Sequence, residues 1–306
     1  NDWHDLDHVE ATGWIRRWVG NEAYEVLWRR LFEHKFHEFA QNLSAAWIWS
    51  RIRRIGRSRS SLLRERLGYL EGGSQTLLDA LARDITTRGG EIRLRTPVRR
   101  VVLEGGAVSG IETPDSLERF DTAISTIPLP CIPGLIPELP VAIRRQYQSV
   151  NNIGVVCVVA KLRKPVSENF WLNTNDECMD IPGLVEYTNL RPLGGHIVYI
   201  PFYMPTTSPA YAAADETFLR KVRAYLTMIN PSLADGDITD MAASRYRYAQ
   251  PICTPGYLGG LPPVKLPVRG LFVADTSSYS PEDRGMSESI YFGRMMARMA
   301  TGENQA

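Results

Sequence analysis

The sequence predicts a mixed α/β fold, and three features of its 306 residues predict it. Four β-like runs within residues 151–204 (IGVVCVVAKL, NFWLNT, LVEYTNL and HIVYIPFYM) are separated by turns rather than helices, as in an antiparallel sheet. Residues 270–278, GLFVADTSS, read as a buried strand followed by a loop and the helical stretch GMSESIYFGRMMARMA. Strand, loop and helix in that order form a ligand-binding edge of a sheet. Much of the chain ahead of Ile85 carries apolar residues at helical spacing. At roughly 100–200 residues per domain, the length predicts about two domains.

Thr12 is placed to cap a helix in which Trp14, Ile15, Trp18, Val19, Leu27, Leu31 and Phe32 recur at helical spacing. The Trp14/Trp18 face is expected in the core rather than at a membrane. Residues 44–52, SAAWIWSRI, predict a second helix, running into a basic segment with Arg51, Arg53, Arg54, Arg57, Arg59, Arg64 and Arg66. That segment reads as a solvated stretch, with contact to a membrane surface or a diphosphate as the alternative. Ser74 is the expected cap of a helix carrying Leu77, Leu78, Leu81, Ala82 and Ile85, closed by Gly89 and Gly90. EIRLR (91–95) alternates like a short strand, and a hairpin is expected around Gly105 and Gly106. Residues 119–128 predict a strand stopped by a proline-rich run. A helix is expected at 214–229 with Asp215 near its cap, and a further strand reaching Tyr248.

Composition narrows the function. With 35 Lys+Arg against 34 Asp+Glu, the net charge is +1, which argues against a general nucleic-acid binder. Four cysteines stand far apart with no C-x-x-C pair, so neither a metal site nor a disulfide framework is expected. Cys157 and Cys253 read as small buried hydrophobes. The longest clean apolar run, residues 155–160, is too short to span a bilayer. The opening NDWHDLDHVE has no signal-peptide pattern. The expected setting is cytoplasmic, with weak peripheral membrane contact through the arginines as an option.

Three segments together resemble the flavin-containing amine oxidase / protoporphyrinogen oxidase-like superfamily, which includes a UDP-galactopyranose mutase-like branch. They are YLEGGSQTLLDALARDITTRGGEIRLRTPVRRV, FDTAISTIP and GLFVADTSSYSPEDRGMSESIYFGRMMA. The mid-chain segments GWIRRWVGNEAYEVLWRRLFEHKF, AAWIWSRI, LVEYTNL, GGHIVYIPFYM and RYAQPI are similar to one branch of it, associated with glycan or lipid-linked biosynthesis. The resemblance implies an FAD-binding domain of glutathione-reductase type plus a substrate domain with an antiparallel sheet and helices. It divides the chain into a helical part of the substrate domain (1–66), a middle segment of the FAD domain (67–135), the substrate sheet and helices (136–255), and the closing FAD strand and helix (256–306). It implies FAD as cofactor, with Val98 meeting the adenine through its backbone and Thr126 and Pro128 beside the adenosine half. Asp275 is implied as the ribityl or phosphate contact, and Gly285, Met286 and Ser287 as N–H donors to the flavin.

Each assignment has a plainer counterpart. Asp275 also suits a helix cap, and Arg284 suits an ion pair with Glu282 or Asp283 as well as a substrate anion. Tyr187, Tyr199 and Tyr203 are candidate substrate-wall residues or packed tyrosines. On a strand, Tyr199 and Tyr203 share one face while Phe202 takes the other. Arg247 shares a strand face with Arg245, facing an anion or a surface partner. No catalytic residue stands out. The lysine that amine oxidases of the superfamily place near the flavin falls at 155–157, where no lysine occurs, and Lys161 is too far along; amine oxidation is disfavoured. The strand–G-x-G-x-x-G–helix fingerprint of these flavoproteins does not occur in the sequence, which reads as lacking the N-terminal dinucleotide-binding half. The expected function is FAD-dependent oxidation of a small, glycan- or lipid-linked organic substrate. A mutase-like glycan enzyme using reduced flavin, and a non-catalytic chain unable to hold FAD, are the alternatives.

Overall fold

The computed structural model describes residues 3–61, 64–282 and 284–302. Its elements begin with α1 (His4–Asp7), α2 (Ala11–Val19), α3 (Asn21–Leu27), α4 (Arg29–Phe36) and α5 (Ala45–Arg57). A small hairpin, β1 (Arg59–Ser61) and β2 (Arg64–Glu65), leads to α6 (Ser74–Thr87). Then come β3 (Arg100–Glu104), β4 (Ala107–Glu112), β5 (Leu117–Arg119), β6 (Ala123–Ser125), α7 (Ile132–Leu135) and α8 (Val141–Ser149). The long strands follow: β7 (Asn152–Leu162), β8 (Trp171–Asn173), β9 (Gly183–Glu186) and β10 (His196–Met204). After them run α9 (Asp215–Ile229), β11 (Ile238–Pro251), α10 (Tyr257–Gly260), β12 (Leu271–Val273) and α11 (Met286–Thr301). The fold is mixed α/β, as the sequence predicts. The chain forms two compact units: Asn1–Ile48, Ile55–Tyr69 and Asn152–Pro255 make one, and Trp49–Arg54, Leu70–Asn151 and Gly256–Ala306 the other.

The first unit is built on a five-stranded antiparallel sheet in the order β11-β7-β10-β9-β8. Alternation sorts its side chains. Val156, Val158, Ala160 and Leu162 of β7 share a buried face with Val198, Ile200, Phe202 and Met204 of β10. That face packs on Phe218, Val222, Tyr225 and Leu226 of α9, each such burial stabilising by about 1.5–3 kcal/mol. The other face carries Val155, Cys157, Val159, Tyr199, Pro201 and Tyr203, none fully buried. Helices α2 to α5 contribute Tyr24, Phe32, Phe36 and Trp47, which pack edge to face.

The second unit joins a three-stranded antiparallel sheet, β3-β4-β5, to a parallel pair, β12-β6. Leu271 and Val273 face a core with Leu129, Ile132, Ile143 and Tyr147. Phe272 faces Met296 of α11 on the opposite side.

Several expectations are corrected. Glu10, not Thr12, caps α2: its carboxylate accepts from the N–H groups of Thr12 (2.7 Å) and Gly13 (3.0 Å). The long helical pattern after it breaks at Gly20, whose φ of +83° a side chain would strain. Trp18 is 73% exposed, so that end of the face expected in the core opens to solvent, while Trp14 is half-buried. Gly73 stands at the cap of α6, where Ser74 was expected. EIRLR forms no strand. Arg95 turns with φ +58°, and Arg93 pairs instead with Glu91 (2.6 Å) and Glu118 (2.5 Å). The basic segment is not uniformly solvated: Arg51 is buried, and Arg53 stacks on Trp49 and pairs with Glu282 at 3.6 Å. The side chain of Arg64 lies outside the described residues. Cys253 is buried, whereas Cys157 is only half-buried.

Candidate cofactor and substrate sites

The cofactor candidates lie in the second unit. Parallel pairing of Ser125 with Val273 puts the carboxyl ends of β6 and β12 side by side. Ala274 continues the ladder, its N–H donating to the Ser125 carbonyl at 3.2 Å. Ligands of parallel sheets bind at such ends. Asp275 follows in extended conformation and caps the turn Thr276–Tyr279. Its Oδ1 accepts from the Ser277 N–H (2.7 Å) and its Oδ2 from the Leu129 N–H (2.8 Å). The cap reading of Asp275 is therefore realised, and the same bonds bring Asp275 together with the end of the segment holding Thr126 and Pro128. Burial raises the Asp275 carboxyl above its ordinary range, opposed by those N–H groups and by the Ser277 hydroxyl.

Around this carboxylate, polar groups are buried without protein partners. The hydroxyls of Tyr147 and Ser125 have none among the described residues. Burial, with a contribution from Asp275, pushes the Tyr147 phenol far up, so it stays a neutral donor. Orphaned buried hydroxyls are costly unless a ligand or water completes them.

Helix α11 begins nearby in sequence. Gly285 is its cap residue and supplies no side chain to its first-turn N–H groups. Met286 is 50% exposed, so this helix start opens to solvent. Tyr279 braces it, its hydroxyl donating to Ser289 at 3.1 Å and its ring lying 4.9 Å from Phe292. Ser287 and Arg284 are exposed, while Asp283 lies outside the described residues. Glu282, one partner expected for Arg284, is engaged by Arg53. Val98 stands outside the hydrogen-bonded group around Asp275, two residues ahead of β3 and 41% exposed.

The substrate candidates occupy the first unit. Cross-strand register aligns Tyr203, Val155 and Tyr246 in one row of the open sheet face. Pro201, Cys157 and Ser244 form the next row, and Tyr199, Val159 and Ala242 the one after. Tyr187 meets Tyr199 edge to face at 6.1 Å. Tyr203 is partly covered: Lys35 lies 5.5 Å from its ring, and its carbonyl accepts from His37 Nε2 at 2.6 Å. Arg247 does not join this face. It lies within the register shift of β11 between Tyr246 and Gln250, whereas Arg245, paired with Val156, binds the Tyr211 carbonyl (2.9 Å) and Asp215. Cys157 sits mid-face, its thiol pushed up by burial. Sequence reasoning missed Tyr246, which the register of β11 against β7 supplies, and Tyr147, which no local pattern marks.

An open depression of about 470 Å³ beside Ser109 and Phe120 contains none of these groups. Among the described residues no cluster of His, Cys, Asp and Glu could hold a metal ion, and no helix is long and apolar enough to cross a membrane.

The chain resembles solved flavoenzyme structures over nearly its whole length. An oxidoreductase from Methanosarcina mazei superposes with a TM-score of 0.68 at 18% identity, covering 95% of this chain and 68% of that one. A reduced UDP-galactopyranose mutase gives 0.72 at 12% identity, covering 99% and 72%. Cyclohexylamine oxidase from Brevibacterium oxydans gives 0.65 at 15% identity, covering 98% and 68%. At these identities the likeness is one of fold. No curated protein matches the sequence. The model of the flavin containing amine oxidoreductases, however, matches residues 2–297. The chain belongs to that family, whose cofactor is FAD.

Proposed function

We propose that this FAD-dependent oxidoreductase holds the flavin end of its cofactor at the carboxyl ends of β6 and β12 and at the start of α11. The observation that carries the reading is the Asp275 cluster: a carboxylate fixed by two backbone N–H groups, flanked by the orphaned hydroxyls of Tyr147 and Ser125. The residues fit a polyol chain and a ring edge. Each Asp275 oxygen keeps a lone pair for a ligand hydroxyl. The two orphaned hydroxyls supply further donors and acceptors. The first-turn N–H groups of α11 carry partial positive charge, suited to an oxygen that gains negative charge on reduction. When bound, FAD supplies the acceptor for a hydride from an organic substrate. Tyr187, Tyr199, Tyr203 and Tyr246 give the open sheet face an apolar, water-excluding surface for that substrate. Cys157 rather than a lysine stands mid-face, so we propose an organic substrate other than a free amine. The sequence holds no G-x-G-x-x-G turn.

The test is a titration of the purified chain with FAD, followed by flavin absorbance and fluorescence, beside the Asp275→Ala variant. Binding weakened tenfold or more by the substitution, about 1.4 kcal/mol, is the expected result. Equal binding by both proteins, or binding by neither, overturns the assignment.

A further inference from the structure

The open face of the five-stranded sheet has a relief that its register sets. Trp171, Val185, Tyr199, Val159 and Ala242 stand in one row across all five strands. The next row holds Pro201, Cys157 and Ser244. Gly183 continues it on β9, two residues from Val185 and on the same face. A Cβ at Gly183 would stand 2.4 Å from the Leu172 carbonyl oxygen, so the position keeps its glycine. Tyr203, Val155 and Tyr246 form the row beyond. Small side chains therefore make the floor of a trough that crosses the strands between two bulkier walls. With strands about 4.8 Å apart, the floor runs about 14 Å from Gly183 to Ser244.

The chemistry of the trough is uniform. No residue of these three rows is charged, and Lys161 and Asp240 stand opposite one another in the row past Tyr199. The floor offers a ligand few hydrogen bonds. Strands β7 and β10 are interior, so their backbone groups are taken up by neighbours on both sides. Proline has no N–H, a thiol is a weak partner, and Ser244 adds one hydroxyl at the end. The walls are apolar surface offered to solvent, with Trp171, Tyr199 and Tyr246 51%, 38% and 53% exposed. Trp171 is held in place, its Nε1 donating to Asn173 at 2.6 Å. A polyhydroxylated ring needs polar groups placed around it, which this floor lacks. A hydrocarbon chain needs only length and apolar walls.

Resting on the reading of this face as the substrate surface, we infer that the substrate carries an unbranched aliphatic chain, which lies in the trough across β9, β10, β7 and β11. An open trough covers about half of each methylene, so each adds about twofold to affinity rather than the roughly fourfold of full burial. The gain stops where the chain outgrows the floor.

The experiment uses the purified chain without flavin, with straight-chain carboxylates from butyrate to dodecanoate as probes, below their micellar concentrations. Cys157, half-buried in the middle of the floor, reports occupancy: its alkylation by iodoacetamide at alkaline pH, followed by mass spectrometry, slows when the floor is covered. Cys178, which is exposed and in none of the three rows, is the control. Protection of Cys157 alone is expected, with affinity rising about twofold per methylene and then levelling off. Ser244→Trp, at an exposed position at the end of the floor, should bring the plateau to shorter chains without changing the melting temperature. Affinity independent of chain length, equal slowing at Cys178, or a plateau indifferent to Ser244→Trp overturns the inference. Protection of Cys157 by UDP-galactose but not by dodecanoate also overturns it, while leaving the face as the substrate surface; protection by no probe overturns both. Because no flavin enters the assay, its outcome is independent of the Asp275 assignment.

Discussion

Replacing Tyr147 by Phe removes one oxygen from a side chain with 0% exposure. That oxygen has no protein partner among the described residues. A buried polar group without a partner costs about 1–3 kcal/mol, so its removal should stabilise the chain by about that amount while the ring keeps its packing. At roughly 2–4 °C per kcal/mol for chains of 150–250 residues, and somewhat less for this longer one, the melting temperature should rise by about 2–6 °C. Flavin binding should move the other way. If the phenol donates to the cofactor, losing it removes about 0.5–1.5 kcal/mol, a roughly two- to tenfold weaker affinity. The assay is thermal denaturation of the wild-type chain and Tyr147→Phe, each with and without FAD, with affinity taken from flavin fluorescence. A lower melting temperature for the variant would show that the hydroxyl is satisfied within the protein, and the reasoning fails. Unchanged affinity removes Tyr147 from the cofactor site.

Other perturbations follow the same physics. Phe202→Ala, at a 1% exposed position against α9, should cost about 3–5 kcal/mol in urea denaturation; a loss below about 1 kcal/mol would show that the sheet–helix core is loosely packed. Gly270 enters β12 with φ +79°, and a Cβ there would sit 2.1 Å from the Asp121 carbonyl oxygen. Gly270→Ala should therefore cost more than the roughly 1–2 kcal/mol of left-handed strain alone, and an unchanged denaturation midpoint would contradict the parallel pairing. Asp275 contributes a pH dependence of known sign. Its folded-state pKa lies above the unfolded value of about 3.9, so its contribution is fully present below that pH and is lost as pH rises through the folded value. Asp275→Asn should remove that decline from a plot of stability against pH above about 4; identical slopes in variant and wild type would rule it out.

Sheet and helix periodicity made much of the first unit legible. The alternation of IGVVCVVAKL and HIVYIPFYM gives both the antiparallel sheet and the shared face of Tyr199 and Tyr203. Asp275 is singled out by the resemblance of its segment to the family's closing motif, and its place after a buried strand also suits a cap, which is what the structure realises. What alternation cannot supply is a partner. EIRLR has strand spacing but pairs with no strand among the described residues, and Arg95 turns with φ +58°. Trp18 and Val19 continue a helical pattern, yet 73% exposure at Trp18 shows that a stripe becomes core only where another element meets it. Arg247 illustrates the reverse: alternation pairs it with Arg245 in the sequence, but the register of β11 on β7 shifts between Tyr246 and Gln250, which no local pattern marks. Tyr147 and the Leu129 N–H reach Asp275 only through tertiary folding, which no local signal encodes.

The contrast between α6 and α9 bears on how the second unit is to be understood. Both helices have an apolar stripe of similar length, so the same hydrophobic driving force acts on each. In α9 it is spent against the buried sheet face, and four side chains leave water. In α6 it is unspent, while in the same unit the hydroxyls of Tyr147 and Ser125 near Asp275 have no partner among the described residues. Apolar surface calls for an apolar partner, whereas orphaned hydroxyls beside a carboxylate call for a polar ligand. These needs are separable: covering α6 leaves the Asp275 cluster unsatisfied, and a flavin polyol at Asp275 leaves the leucines of α6 in water. Protection of α6 on adding FAD alone would therefore contradict this division, because a cofactor at the carboxyl ends of β6 and β12 gives that helix no apolar face to pack on.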